Sequence, residues 1–191
     1  MNRTVGVLAL QGAFAAHAKV LTALGHAVRE VRAPADLEGL DGLVLPGGES
    51  GVQLELLRRL NLAGPLAALV ARSVPVLATC AGLILAARRV RSPEQPSFGW
   101  LDVTVERNGY GRQLDSFEAD DDAGARRLVF IRAPRIVEVG PAVTVLATLR
   151  GEPVLVRQGR VVGAAFHPEL TDDASLHREI FGAAESDAAA A

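Results

Sequence analysis

The stretch VPVLATCAGL, residues 74–83, carries the only cysteine of the chain, Cys80, at the point where one apolar run meets small residues and a second apolar run begins. Val74, Val76, Leu77 and Ala78 leave no polar face, so a strand made of them must be covered on both sides, as a central strand of a parallel sheet is. Leu83-Ile84-Leu85-Ala86-Ala87 then reads as a helix packed back on that strand, with Ala81 and Gly82 small enough to let the two crowd together. The pattern predicts a sharp strand-to-helix turn with the cysteine alone at the strand tip. At such a turn the Ala81 amide points to where an oxyanion would form, and the helix dipole favours a thiolate. A lone cysteine in an apolar run is also a common small core residue, and the turn by itself leaves both readings open.

Strands and helices alternate through the first half. Residues 4–10 read as a buried strand, 13–24 as a helix closed by Gly25, 27–31 as a second strand, 34–37 as a short turn or helix and 40–45 as a third strand, with helices over 51–60 and 65–72 before the Cys80 strand. That order predicts a flavodoxin-like three-layer α/β sandwich, a mostly parallel sheet with helices on both faces. After Arg91 a Pro-containing loop, 92–99, leads to short strands at 101–106, 128–131, 143–148, 153–157 and 161–166, an added and partly antiparallel β segment, and then a helix over 173–181. The acidic run 118–122 reads as a solvated loop. Residues 1–183 are expected to form a single domain, with 184–191 a frayed Ala-rich tail.

The 191 residues, 49% of them apolar, suffice for one sizeable core, and the net charge of −2 with no basic stripe speaks against nucleic acid. One cysteine rules out an internal disulfide, and no stretch reads as a membrane span or a signal segment, which together predict a cytoplasmic protein.

His167-Pro168-Glu169 follows the last strand and is expected to emerge at a sheet edge. Pro168 keeps His167 out of the helical region, so an extended tripeptide would send both side chains to one side. A carboxylate there can hold one imidazole nitrogen while the other faces a thiol, the base and orienter of a Cys-His-Glu triad. A plain strand-to-loop turn would use the same residues. His17, His26 and His177 read as surface or satisfied residues, and none has metal-ligand spacing with Cys80. In Pro46-Gly47-Gly48-Glu49-Ser50 the paired glycines can turn amides toward a ligand, so that the Gly48 N–H joins that of Ala81 in an oxyanion hole, although a turn capped by Ser50 would look alike.

Leu10-Gln11-Gly12, Pro46-Gly47-Gly48-Glu49-Ser50, Ala78-Thr79-Cys80-Ala81-Gly82 and His167-Pro168-Glu169, in this order, resemble the class I (triad) glutamine amidotransferases. Val105-Glu106-Arg107-Asn108, residues 111–119, Phe130-Ile131-Arg132-Ala133-Pro134 and Phe166-His167-Pro168-Glu169-Leu170-Thr171 bring the likeness closer to the glutaminase subunits of pyridoxal 5′-phosphate synthases. The resemblance implies hydrolysis of L-glutamine to L-glutamate and ammonia through a cysteine thioester, with no cofactor and no metal. The ammonia would pass to a separate synthase subunit in a ring-shaped hetero-oligomer, for vitamin B6 biosynthesis. By matching position, Cys80 is the nucleophile, His167 the acid-base and Glu169 its orienter. Gly48, Glu49, Ser50, Arg107, Ile131 and Arg132 correspond to the glutamine-binding residues, and Gln11 to a contact with the synthase. Two departures stand out: Ala78 replaces a frequent glycine, and Gly51-Val52 replace Thr-Thr, which puts the first turn of that helix and the glutamine site in question. Another class I glutaminase, another cysteine hydrolase and a non-catalytic regulatory subunit remain open alternatives.

Overall fold

The computed structural model describes residues 3–107, 109 and 116–182; Asn108, the 111–115 portion of the family-like segment and the 184–191 tail lie outside them. The first half alternates as expected: β1 (Thr4–Leu8), α1 (Phe14–Ala23), β2 (Ala27–Val31), β3 (Gly42–Leu45), α2 (Ser50–Arg59), α3 (Ala63–Ala71), β4 (Val76–Thr79) and α4 (Ala81–Ala86). Every residue of β3 and β4 is buried, as their apolar composition requires, with Thr79 at the end of β4 the one polar member. Gly25, with φ of 82°, supplies the left-handed residue that ends α1.

The second half adds β5 (Ala87–Arg91), β6 (Leu101–Glu106), β7 (Ser116–Asp120), β8 (Arg127–Ile131), β9 (Arg135–Val139), β10 (Thr144–Leu149), β11 (Glu152–Gln158), β12 (Val161–Ala164) and α5 (Ser175–Phe181). A seven-stranded sheet runs in the order β10-β11-β12-β4-β3-β1-β2. From β12 to β2 the neighbours are parallel, while β10-β11 and β11-β12 are antiparallel. β1 to β2 and β3 to β4 step in opposite directions across this sheet, and right-handed crossovers therefore put α1 on one face and α2 with α3 on the other. α5 shares the face of α1, whose His17 it meets, and α4 packs against α2.

Three expectations are corrected. The 118–122 run is not simply a solvated loop: residues 118–120 belong to β7, which pairs with β8, and Arg127 holds Glu118 at 3.1 Å and Asp120 at 3.4 Å. The helix of the elbow stops at Ala86, and 87–91 form β5, parallel to β6 in a second sheet ordered β5-β6-β9. Finally, β12 is interior rather than an edge, lying between β11 and β4. One buried apolar cluster joins residues of both halves, from Val5 to Phe181.

Candidate active site

β4 delivers Cys80 to its carboxyl end, where the backbone adopts φ of 47° and ψ of −104°, a conformation a non-glycine residue holds only when its surroundings impose it. The Cys80 N–H donates to Ala164 O of the neighbouring strand at 2.9 Å, and Gly82 lets α4 fold back at once, since a Cβ there would stand 2.0 Å from Leu45 O. Ala78, fully buried in β4, fits without displacing this turn. Ala81 opens α4, so its N–H has no acceptor within the helix.

β12 lies beside β4, and the chain leaving it brings His167 to the same end of the sheet. The His167 N–H donates to Val129 O of β8 at 2.8 Å. His167 is non-helical, with φ of −109° and ψ of 85°, whereas residues 168–170 form a 3₁₀ turn rather than continuing the extended path expected of the tripeptide. The turn still brings the pair together, with His167 Nδ1 2.7 Å from Glu169 Oε1. Cys80 interacts with the same ring. Burial pushes the His167 imidazole down, but hydrogen bonds with Cys80 and Glu169, reinforced by their charges, outweigh it and raise the group to about 10. For Glu169 burial acts upward, yet His17 and His167 hold the carboxyl below its ordinary range.

Of the two expectations for His17 and His177, surface or satisfied, the surface one fails: both are fully buried, and they are satisfied by each other and, for His17, by Thr79. His17 Nε2 is 3.2 Å from Glu169 Oε2 and 3.1 Å from Thr79 Oγ1, and His17 Nδ1 is 2.9 Å from His177 Nε2. Burial lowers the His17 imidazole more than Glu169 raises it, and His167 lowers it further. Held below its ordinary value chiefly by burial, His17 meets the carboxylate at neutral pH as an uncharged ring, so that its N–H dipole rather than a full charge favours the ionised Glu169. A signal for this was present in the sequence: His17 falls four residues before Leu21 on the buried side of α1, an apolar stripe where a polar residue needs a partner. His26 is also buried, its Nε2 donating to Gly182 O at 2.8 Å.

Around Cys80 and His167 lies a pocket of about 260 Å³ lined by Gln11, Gly47, Gly48, Glu49, Ser50, Arg107, Ile131 and Arg132 among others. It opens beyond the carboxyl ends of β1, β3, β4 and β12, at the crevice where strand order reverses and α/β sheets place their ligands. The pocket thus brings together Gln11, Gly48, Glu49, Ser50, Cys80, Arg107, Ile131, Arg132 and His167, while Glu169 and Ala81 are buried and do not line it, Glu169 reaching the site through the His167 ring. Glu49 Oε1 and Arg132 Nη2 pair at 2.9 Å, and Ile131 O lies 3.8 Å from Cys80 Sγ. Ser50 is the first residue of α2 rather than its cap, and its hydroxyl donates to Gln95 Oε1 at 3.0 Å. Gln11 is built into the wall: its Oε1 accepts the Glu49 N–H at 2.8 Å, and its carbonyl accepts Gln53 Nε2 at 3.0 Å. The Gly47 carbonyl accepts the Ala13 N–H at 3.0 Å, an approach only Gly12 permits, since a Cβ at Gly12 would stand 1.9 Å from that oxygen.

Comparison with known proteins agrees with this geometry. The chain is 53% identical over 190 residues to the pyridoxal 5′-phosphate synthase subunit PdxT of Deinococcus radiodurans, spanning 95% of this chain and 97% of that one. It is 51% identical over 179 residues to the protein of the same name from Pelotomaculum thermopropionicum, covering 91% of each. Among solved structures, a glutamine amidotransferase superposes with a TM-score of 0.86 at 46% identity, over 92% of this chain and 96% of the other. Residues 7–183 match the profile of the SNO glutamine amidotransferases, and the chain belongs to that family.

Proposed function

We propose that the chain is the glutaminase subunit of a pyridoxal 5′-phosphate synthase, hydrolysing L-glutamine to L-glutamate and ammonia. The observation that carries this reading is His167 set between Cys80 and the Glu169 carboxylate, 2.7 Å away, in a pocket whose rim holds a paired carboxylate and guanidinium. A volume of about 260 Å³ lies below the range of drug-sized sites, ~300–1,000 Å³, and suits one amino acid. Glu49 offers an acceptor for an α-ammonium, and Arg132 and Arg107 offer donors for an α-carboxylate.

In this reading the thiol proton already rests on His167 Nε2, as a ring raised to about 10 requires, with Glu169 holding Nδ1, and the Cys80 thiolate attacks the side-chain amide carbon of glutamine. The N–H groups of Gly48 and Ala81 receive the oxyanion of the tetrahedral intermediate. His167 returns the proton to the nitrogen, ammonia leaves and a thioester remains. Water activated by the same imidazole cleaves the thioester, freeing glutamate and the thiol. Gln11 holds the amide of Glu49 and is the residue assigned to the synthase contact, so docking there would act directly on the Gly47-Gly48 loop. Residues 1–183 act as one domain of a ring-shaped hetero-oligomer in the cytosol, a setting that keeps Cys80 reduced. Among the described residues no helix is long and apolar enough to cross a membrane.

The test is glutamate release by the purified chain, alone and with its synthase subunit, using Cys80→Ala as control. The expected result is slow release alone, faster release in the complex and none from the variant. Equal rates with and without the synthase overturn the gating, and release that survives Cys80→Ala overturns the mechanism.

A further inference from the structure

Behind the proposed triad, buried groups continue across two more elements. Glu169 Oε2 is fully buried and has no well-aligned hydrogen bond among the described residues; its close approach at 3.2 Å is to His17 Nε2. Beyond His17 stands His177, whose Nε2 is 2.9 Å from His17 Nδ1 and whose own buried Nδ1 has no partner among the described residues. These contacts settle where the protons sit. A buried N–H with no acceptor is rarer and costlier than a bare ring nitrogen, so the proton of His177 belongs on Nε2 and is donated to His17 Nδ1. His17 Nδ1 is then an acceptor, and the His17 proton sits on Nε2, facing Thr79 Oγ1 at 3.1 Å and Glu169 Oε2.

We infer that His17 is a positioning residue for the glutaminase reaction: its Nε2–H, bonded to Thr79 Oγ1, presents its positive edge 3.2 Å from Oε2 of Glu169 and so keeps Oε1 on Nδ1 of His167, with His177 fixing the tautomer of His17. This rests on the glutaminase reading above and deepens it. Without His17, one oxygen of a buried carboxylate would lose its nearest donor, and the carboxyl would turn away from His167 or take up a proton. The placement is rigid because α1, which carries His17, begins beside Ala13, whose N–H anchors the Gly47 carbonyl. The groups that act on Glu169 are His167 on its own turn and His17 from α1; His177 of α5, Asp173 just before it and Cys80 at the end of β4 stand one contact further out.

The experiment measures kcat and KM for glutamine across pH in the complex with the synthase subunit, for the unsubstituted chain, His17→Leu, His17→Gln and Cys80→Ala. His17→Leu is expected to lower kcat ~10–100-fold, the loss typical when a group that orients a functional ligand is removed, with KM unchanged and the acid limb moved to higher pH. His17→Gln, whose amide places a donor near the Nε2 position, is expected to recover most of kcat. Unchanged kcat and pH profile in His17→Leu, with Cys80→Ala inactive, overturns the inference and leaves the glutaminase reading intact. An inactive unsubstituted complex overturns both. Should His17→Leu fail to fold, histidine ¹⁵N NMR of the unsubstituted chain decides: neutral Nε2–H rings at His17 and His177 support the inference, and an Nδ1–H tautomer at His17 overturns it.

Discussion

Glu49 and Arg132 face each other at 2.9 Å on the rim of the pocket that holds Cys80, and both side chains are largely exposed, 47% and 63%. An exposed pair of this kind contributes about 0–1 kcal/mol to folding, so its value lies in what it offers a ligand. An α-amino acid brings the same two charges in opposite sense, its ammonium replacing Arg132 beside Glu49 and its carboxylate replacing Glu49 beside Arg132. Arg132 also has φ of 43°, which asparagine tolerates better than most residues. Arg132→Asn is therefore expected to raise KM for glutamine about 10- to 100-fold, the equivalent of one charge-assisted hydrogen bond, with little change in melting temperature. Steady-state kinetics on the synthase complex check this.

Gly47 touches both proposed catalytic groups. A Cβ there would stand 2.3 Å from His167 Cε1, 3.0 Å from its Nδ1 and 3.3 Å from Cys80 Cβ. Its backbone is not left-handed, so alanine would be accepted by the chain and rejected by the imidazole. Gly47→Ala is expected to push His167 off its line to Cys80 and reduce kcat ~100-fold or more, because displacements near 1 Å have that effect at a reacting centre. Circular dichroism and thermal melting close to those of the unsubstituted protein would separate the loss from misfolding.

The parts legible in the sequence were those whose local pattern and tertiary role agree. The 74–83 run reads as strand, turn and helix because burial on both faces, small residues at the crossing and a second apolar run all demand one geometry. His167 and Glu169 were legible because Pro168 marks where the strand must end. β5 was not, since three of its five residues are arginine and it is a strand only by pairing with β6. β7 looked like a loop because its carboxylates are balanced by Arg127 from the partner strand, a contact nine residues away from Glu118 along the chain. His17 and His177 were hidden for a related reason: 160 residues separate two rings that meet at 2.9 Å, and neither helix shows alone what its histidine faces.

Gly51 and Val52, where the family-like pattern has Thr-Thr, are both exposed and lie outside the pocket wall. Space is open around Gly51, with nothing within 4 Å of a Cβ placed there, so the site does not require a glycine. In the first turn of α2 it costs helix stability relative to alanine. Gly51→Ala is expected to stabilise the chain by about 0.5–1 kcal/mol in urea unfolding and to leave KM for glutamine unchanged. A several-fold change in KM would mean that this turn shapes the glutamine site after all.

The buried histidines make the fold sensitive to mild acid, and the signs separate them. His177 is pushed down to about 3, chiefly by burial and further by His17. Its unfolded form takes up a proton below about 6.5, so its share of stability is complete above that pH and is lost as pH falls toward 3. His167 behaves oppositely: raised to about 10, its share is complete below 6.5 and is lost only as pH climbs toward 10. Glu169, held below the carboxylate range, matters only at pH values under about 4.5. Between pH 7 and pH 5 the loss therefore comes from His177 and, with the same sign, His17. For His177 alone it amounts to about 2 kcal/mol at pH 5, at ~1.4 kcal/mol per pH unit below 6.5. Urea unfolding at the two pH values should show a smaller acid-induced loss in His177→Gln than in the unsubstituted chain; equal losses would mean that His177 is already protonated in the folded protein.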